Sequence, residues 1–291
     1  MAGLGTRFLP ATRAIPKEML PVVDKPLIQW AVEEAAGAGI EEFIFVTAPG
    51  KEAIEAHFAP APVLDCALEE KGKTGLLQES HNLAALGARI TCVLQPEALG
   101  LGHAVWCARD QVGDEPFAVL LPDDMVLGEI SCLQQMMKAY GEVGGNLVAV
   151  EDVPREFTNR YGIVDPGDRN AASEMLGGDA NKMSVLVAVR GLVEKPEPAD
   201  APSTLSVIGR YILQPQVFEL LERKERGAGG EIQLTDALVG MIEGTSFHGL
   251  RFSGERFDCG DKIGYLRANM ACAHDKDNLR DAVDALCKAF T

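Results

Sequence analysis

Several groups of residues have types and spacings suited to a phosphorylated ligand. Gly3 and Gly5 lack a Cβ, so the backbone there can turn sharply and set its N–H groups against a phosphate; Arg7 and Lys17 supply cations on either side, with Arg13 close in sequence. Taken alone, the first seven residues are described as well by a surface turn with a solvated arginine. Lys17 and Glu18, placed just before Pro21, make the combination harder to dismiss. Asp123 and Asp124 close the apolar run 117–121, at the carboxyl end of an expected buried strand, where open α/β sheets bind their ligands. Carboxylates opposite a phosphate loop are hard oxygen donors suited to Mg²⁺, and Asp258 is placed to approach the same point from a second loop. Each acid, read singly, is also an ordinary turn residue. Gln95 and the Gly100-Leu-Gly102 turn follow another strand end, and a glutamine amide presents both a donor and an acceptor to a base edge. Glu194 and Lys195 set an acid beside a cation, which is either a site pair or a surface ion pair. The five histidines show no metal spacing, and His103, near the expected base pocket, reads as structural. There is no G-x-S-x-G, Walker A or Cys/His nucleophile pair, so a covalent mechanism has no support.

These residues need elements to position them. Apolar residues at helical spacing predict helices over 26–39, 51–58, 102–112, the stretch after Ser131, 215–226, 234–242, 261–274 and 277–290. Short β-branched runs predict strands at 43–47, 90–94, 117–121 and 146–150, alternating with helices in the manner of right-handed crossovers and a parallel sheet covered on both faces. After residue 150 the rhythm changes. Strands at 161–164, 184–193, 205–213 and 247–252 follow one another with fewer helices between them, as in a mixed extension, and 165–183 reads as a long turn-rich insertion. Residues 60–88 predict helical pieces without chemistry.

Composition narrows the classes. The chain has 291 residues, 47% of them hydrophobic, enough for a sizeable core. A net charge of −16, from 43 acids against 27 bases, disfavours a broad nucleic-acid or anionic-membrane surface. Seven dispersed cysteines without C-x-x-C spacing suggest reduced thiols. No membrane span and no secretory leader is expected, so a cytoplasmic enzyme is the default.

In combination, the stretches 2–12 (AGLGTRFLPAT), 16–26 (PKEMLPVVDKP), 100–106, 121–124, 160–163, 193–196, 206–211, 230–236 and 258–262 resemble the sugar-nucleotide pyrophosphorylases, specifically the bacterial branch that uses UTP and glucose 1-phosphate. They occur in the family's order across nearly the whole chain. The resemblance implies an α/β fold: a Rossmann-like, doubly wound mixed sheet of the nucleotidyltransferase, glycosyltransferase-A-like kind, with a smaller β-rich sugar-binding extension and C-terminal helices. It implies one domain over 1–291, with a nucleotide-binding part at 1–150, a sugar-binding part at 151–260 and closing helices at 261–291. Carried over by position, Ala2, Gly3, Gly5, Glu18, Gln95 and Gly100 are expected around the nucleotide, the last three and the first two on the uracil side. Arg7 and Lys17 are expected on the triphosphate, and Asp123 and Asp258 on Mg²⁺. Gly162, Glu194 and Lys195 are expected at glucose 1-phosphate, with Glu194 accepting sugar hydroxyls, Lys195 meeting phosphate and Glu231 near the sugar pocket. The implied products are UDP-glucose and pyrophosphate, and the implied assembly is a homo-oligomer.

Two departures carry expectations of their own. The family places a buried apolar strand directly ahead of the glycine loop, whereas this sequence starts at Met1; either the natural chain extends further upstream or another segment takes that place. The insertion at 165–183 falls on the sugar side, where it bears on selectivity. The alternatives are the same chemistry with dTTP, ATP or another sugar 1-phosphate, and a non-catalytic protein that binds a UDP-sugar without turnover.

Overall fold

The computed structural model describes residues 3, 5–166, 174–176 and 184–289. Three short 3-10 turns (Thr6–Phe8, Ala11–Arg13, Lys17–Met19) carry the chain to β1 (Pro21–Val22) and β2 (Lys25–Pro26), which turn it into α1 (Leu27–Gly37). Next come β3 (Phe43–Thr47), α2 (Glu52–Phe58), α3 (Pro62–Glu70), α4 (Thr74–Gly87), β4 (Ile90–Leu94), α5 (Leu101–Cys107), α6 (Arg109–Val112) and β5 (Phe117–Leu120). A strand absent from the sequence reading, β6 (Asp124–Leu127), precedes α7 (Cys132–Val143) and β7 (Asn146–Asp152). Ser131 caps α7 as expected, in a reciprocal box: its hydroxyl accepts from the Gln134 N–H and the Gln134 side chain accepts from the Ser131 N–H.

The second half comprises β8 (Gly162–Asp165), β9 (Glu174–Leu176), β10 (Ser184–Ala188), β11 (Gly191–Glu194), β12 (Leu205–Leu213), α8 (Val217–Leu221), α9 (Leu234–Met241), β13 (Phe247–Arg251), β14 (Glu255–Asp258), α10 (Lys262–Asp275) and α11 (Arg280–Ala289). Most of the expected insertion at 165–183 lies outside the described residues; within it, β9 pairs antiparallel with β10. Among the described residues no helix is long and apolar enough to cross a membrane.

The main sheet is mixed, in the order β11-β8-β12-β7-β13-β10-β9, with β5 also on β12. Here the sequence reading needs correcting. The strands up to residue 150 were expected to form a parallel sheet, but β12 sits between β5 and β7 and runs antiparallel to both. The reason is burial. Residues 205–213 are buried along almost their whole length, Ser206 and Arg210 included, and such a strand belongs in the middle of a sheet covered on both faces. Beyond it, β7 and β13 pair in parallel. β7 divides the core by alternation: Leu147 and Ala149 face a cluster containing Ile28 and Val32 of α1 and Leu133 and Met136 of α7. Val148 and Val150 face one containing Val217 of α8 and Leu234 and Leu238 of α9. A third cluster joins Leu20, Val22 and Leu27 to Met125 of β6, Phe257 of β14 and Ala268 and Cys272 of α10, pinning the N-terminal loop beside the end of β14.

β3 and β4 pair in parallel with each other but not with the main sheet. Phe43–Val46 of β3, Ala118–Leu120 of β5 and residues of α1 and α5 line a cavity of about 950 Å³. The same cavity is bordered by residues expected to bind nucleotide, among them Gly3, Lys17 and Gln95.

Candidate active site

The glycine loop is held by close packing. Gly5 has φ 62°, and a Cβ there would stand 3.1 Å from Thr12 Cγ2 and 3.2 Å from Lys17 Cβ. Thr12 donates its hydroxyl to the Gly5 carbonyl at 2.8 Å. This ties the first half of the loop to the segment that carries Lys17, so the two halves of the motif form one wall. Ala2 lies outside the described residues. Gly3, Lys17, Glu18, Gln95, Gly100, Asp123 and Glu231 all line the same cavity.

Three segments far apart in sequence meet at Gly260. A Cβ at this glycine would lie 2.9 Å from Asp258 Oδ1, 3.1 Å from Asp123 Oδ2 and 3.7 Å from Arg7 Nη1. Lys17 Nζ donates to Asp123 Oδ2 at 2.6 Å, and Arg7 Nη1 donates to the Gly260 carbonyl at 3.3 Å. The loop is fastened by backbone: the Cys259 N–H reaches the Asp123 carbonyl at 2.7 Å and the Gly260 N–H reaches Asp258 Oδ1 at 2.9 Å. Burial pushes the Asp123 carboxyl up, but the Lys17 ammonium beside it outweighs burial and holds it below the ordinary carboxylate value. Burial likewise lowers Lys17, and Asp123 more than restores it, so both groups stay charged. Two carboxylate oxygens from different loops beside Gly260 are hard donors of the kind that fits a divalent cation.

Asp124 is spent elsewhere. Its Oδ1 pairs with the Arg256 guanidinium, with Arg256 Nε at 2.6 Å, and its Oδ2 accepts from the Gly209 N–H at 3.1 Å. Asp124 stands opposite Asp258 in the β6–β14 ladder, but of the Asp123-Asp124 pair it is Asp123 whose carboxylate lies beside Gly260 with that of Asp258. Tyr161 extends the network: its hydroxyl donates to Asp258 Oδ2 at 3.4 Å, and its carbonyl accepts from the Lys195 N–H at 3.0 Å. The acids at Gly260 are thereby linked to the Glu194-Lys195 segment. Glu194 faces Gly162 in the β8–β11 ladder. Lys195 Nζ lies 3.1 Å from Glu194 Oε1, and Thr235 Oγ1 donates to Glu194 Oε2 at 2.7 Å.

On the nucleotide side, Gln95 is 2% exposed, and its Nε2 donates to the Gly100 carbonyl at 3.2 Å and also lies 3.2 Å from His103 Nδ1. A carbonyl can only accept, so this contact fixes which end of the amide is nitrogen and commits it away from the ligand. Gly100 has φ 106°, and a Cβ on it would come within 2.8 Å of the Ile232 carbonyl. The Gly100–Gly102 turn is clamped by Ile232, whose N–H donates to the Leu99 carbonyl at 2.7 Å and whose carbonyl accepts from the Gly102 N–H at 2.9 Å. Glu18 lies in the wall with both carboxylate oxygens on Lys51 Nζ, at 3.0 and 2.8 Å, in a buried pair.

The sequence reading gave no role to Lys51, Tyr161, Thr235 or Arg256. Tyr161 and Thr235 fall inside the quoted stretches 160–163 and 230–236, which was a usable signal. Lys51 and Arg256 carry no pattern of their own and are found only through their partners.

Comparison with known proteins places the chain in a family. The family model described as nucleotidyl transferase matches residues 1–275. The UTP–glucose-1-phosphate uridylyltransferase of Bacillus subtilis is 48% identical over 280 residues, covering 96% of this chain and 91% of that protein. A solved UTP-bound UGPase from Acinetobacter baumannii matches with a TM-score of 0.86 at 40% identity, covering 100% of this chain and 97% of that one. A UDP-glucose pyrophosphorylase complexed with UDP-glucose matches with a TM-score of 0.79 at 38% identity, covering 94% of this chain and 97% of that one. From its glycine loop to α10, the chain belongs to the nucleotidyl transferase family.

Proposed function

We propose that the protein makes UDP-glucose and pyrophosphate from UTP and glucose 1-phosphate. The observation that carries this reading is the convergence of Asp123, Asp258, Arg7 and Lys17 around Gly260, at the end of a cavity lined by Gln95 and Gly100. Uridylyltransferases at close to half identity over most of the chain support the choice of substrates.

The chemistry follows from charge. A sugar-phosphate oxygen is already anionic near neutral pH, so it attacks the α-phosphorus without a general base. One P–O bond forms on that side, and the bond to the bridging oxygen breaks on the other to release pyrophosphate. The obstacle is two anions approaching each other, and the protein's contribution is positioning and neutralisation. Lys17 and Arg7 face the triphosphate, and Lys195 meets the phosphate of the sugar. Gly3, Gly5 and Gly100 let backbone come close to the nucleotide, with Ala2 at the same wall. Gln95, its amide nitrogen committed to Gly100, offers its oxygen to a base N–H. Glu18, paired with Lys51, shapes the wall on that side. Gly162, Glu194 and Glu231 line the sugar side. Asp123 and Asp258 would hold Mg²⁺, which when bound would supply further neutralisation of the phosphates. The 1–150 part thus serves the nucleotide and 151–260 the sugar.

Substrate choice is checked by supplying UTP, dTTP, CTP and ATP in turn with glucose 1-phosphate, then UTP with other sugar 1-phosphates. UTP with glucose 1-phosphate is expected to give the highest kcat/KM, exceeding CTP by at least about ten-fold because cytosine has no N3–H for the buried Gln95 amide oxygen. A higher kcat/KM for dTTP or for another sugar would replace this substrate pair.

A cytoplasmic setting agrees with the dispersed cysteines, of which Cys66, Cys92, Cys107, Cys132, Cys259 and Cys272 are free thiols. We place a homo-oligomeric contact on α10, where Ile263, Leu266 and Met270 recur on one face at 69, 57 and 51% exposure. Light scattering is expected to give a multiple of the 31.2 kDa chain mass, reduced by Leu266→Glu. A parent protein that scatters as a single chain rules the contact out.

A further inference from the structure

Thr235 stands at the second position of α9, and its hydroxyl hydrogen bonds Glu194 Oε2. The start of α9 is rigid: Ile232 is clamped to the Leu99–Gly102 turn, Leu234 and Leu238 are buried, and the helix packs on β11. Across the ladder, a Cβ on Gly162 would lie 3.2 Å from Thr235 Oγ1 and 3.3 Å from Glu194 Oε2. Thr235, Glu194 and Gly162 therefore crowd one point, and Glu194 is held at both ends of its carboxylate, by Thr235 on Oε2 and by Lys195 on Oε1. A free glutamate side chain has several rotamers to lose on binding, so one fixed in advance gives up less entropy when a ligand arrives. An ionised carboxylate has about four acceptor positions, so each oxygen still has capacity after these two contacts.

We propose that Thr235 is a positioning residue for sugar recognition, its hydroxyl holding the Glu194 carboxylate in the orientation that reads hydroxyls of the hexose 1-phosphate. This rests on the reading of Glu194 as the acceptor for sugar hydroxyls. Lys195 is about half exposed and its pairing with Glu194 is between adjacent residues. Thr235 supplies the fixed donor, anchored in the same element that clamps the nucleotide-side turn.

The test is steady-state kinetics on Thr235→Val, Thr235→Ala and Thr235→Ser, with Glu194→Gln alongside. Valine keeps the shape and removes the donor, alanine removes the donor and the branch, and serine restores the donor. Loss of a hydrogen bond to a charged group predicts a rise of roughly ten-fold in KM for glucose 1-phosphate in the Val and Ala variants. KM for UTP and the thermal midpoint should stay near the parent values, and serine should return KM to within about two-fold. Preference for glucose 1-phosphate over its C4 epimer, galactose 1-phosphate, should narrow in step. If Glu194→Gln raises this KM while Thr235→Val and Thr235→Ala leave it unchanged, the role of Thr235 is overturned and that of Glu194 stands. If Glu194→Gln leaves it unchanged, the underlying reading fails and takes the proposal with it. Equal rises in both KM values mark general damage to the scaffold and also overturn it.

Discussion

Asp123→Ala is expected to lower turnover by on the order of 10²-fold or more, the effect of deleting a preorganised electrostatic group from a site where charge is neutralised. The geometry explains why so small a change should matter. Asp123 supplies one of the two carboxylates around Gly260, and it also holds the Lys17 ammonium at 2.6 Å. Removing it takes away a donor for the divalent cation and releases a cation that should face the triphosphate. The backbone contact from Cys259 to the Asp123 carbonyl survives the substitution, so the loop itself should stay in place. Turnover is measured at saturating Mg²⁺, with circular dichroism to confirm the fold. Near-parental turnover in a folded Asp123→Ala protein would sink the assignment of this carboxylate.

The largest stability effect is expected at Arg210→Met. Arg210 is 1% exposed, and its Nε and Nη2 donate to Glu34 Oε2 at 3.1 and 2.7 Å. Its Nη1 donates to the carbonyls of Leu121 and Gly209, both at 3.0 Å. The other oxygen of Glu34 accepts from the Leu133 N–H at the start of α7. One buried ion pair thus ties α1, α7 and β12 to the turn that presents Asp123. Methionine replaces much of the volume but strands the Glu34 charge, which predicts a loss of about 3–5 kcal/mol. Urea denaturation measures it, and a loss below about 1 kcal/mol contradicts the account. Adding Glu34→Gln should recover part of the loss, because the stranded charge is then gone.

Both effects depend on contacts that local sequence patterns do not reveal. Strands at 43–47, 90–94 and 146–150 were legible from β-branched runs between breakers, although 90–94, expected to be buried, is largely exposed, with Leu94 at 54%; the Ser131 cap was legible because its partner lies three residues away. The neighbours of β12 were not legible, since a period-2 pattern says which faces are buried and nothing about which strand lies alongside. β6 was missed because Asp123 and Asp124 read as a turn; its partner β14 lies more than 120 residues on, where Asp258 stands opposite Asp124. The Arg210–Glu34 and Lys51–Glu18 pairs span 176 and 33 residues and carry no motif spacing.

The candidate site was more legible than the topology. Gly3, Lys17, Glu18, Gln95, Gly100, Asp123 and Glu231 border one cavity, and Arg7 and Asp258 meet Asp123 at Gly260. Sequence could not show how these groups are held: Tyr161, Thr235 and Lys51 act through other side chains, and their types suggest no chemistry of their own.

The most direct test of the central claim is ³¹P NMR of the purified protein with UTP, glucose 1-phosphate and Mg²⁺. UDP-glucose and pyrophosphate should appear in equal amounts as both substrates disappear. Tight binding of UDP-glucose with no release of pyrophosphate would contradict it and leave a sugar-nucleotide-binding protein in its place.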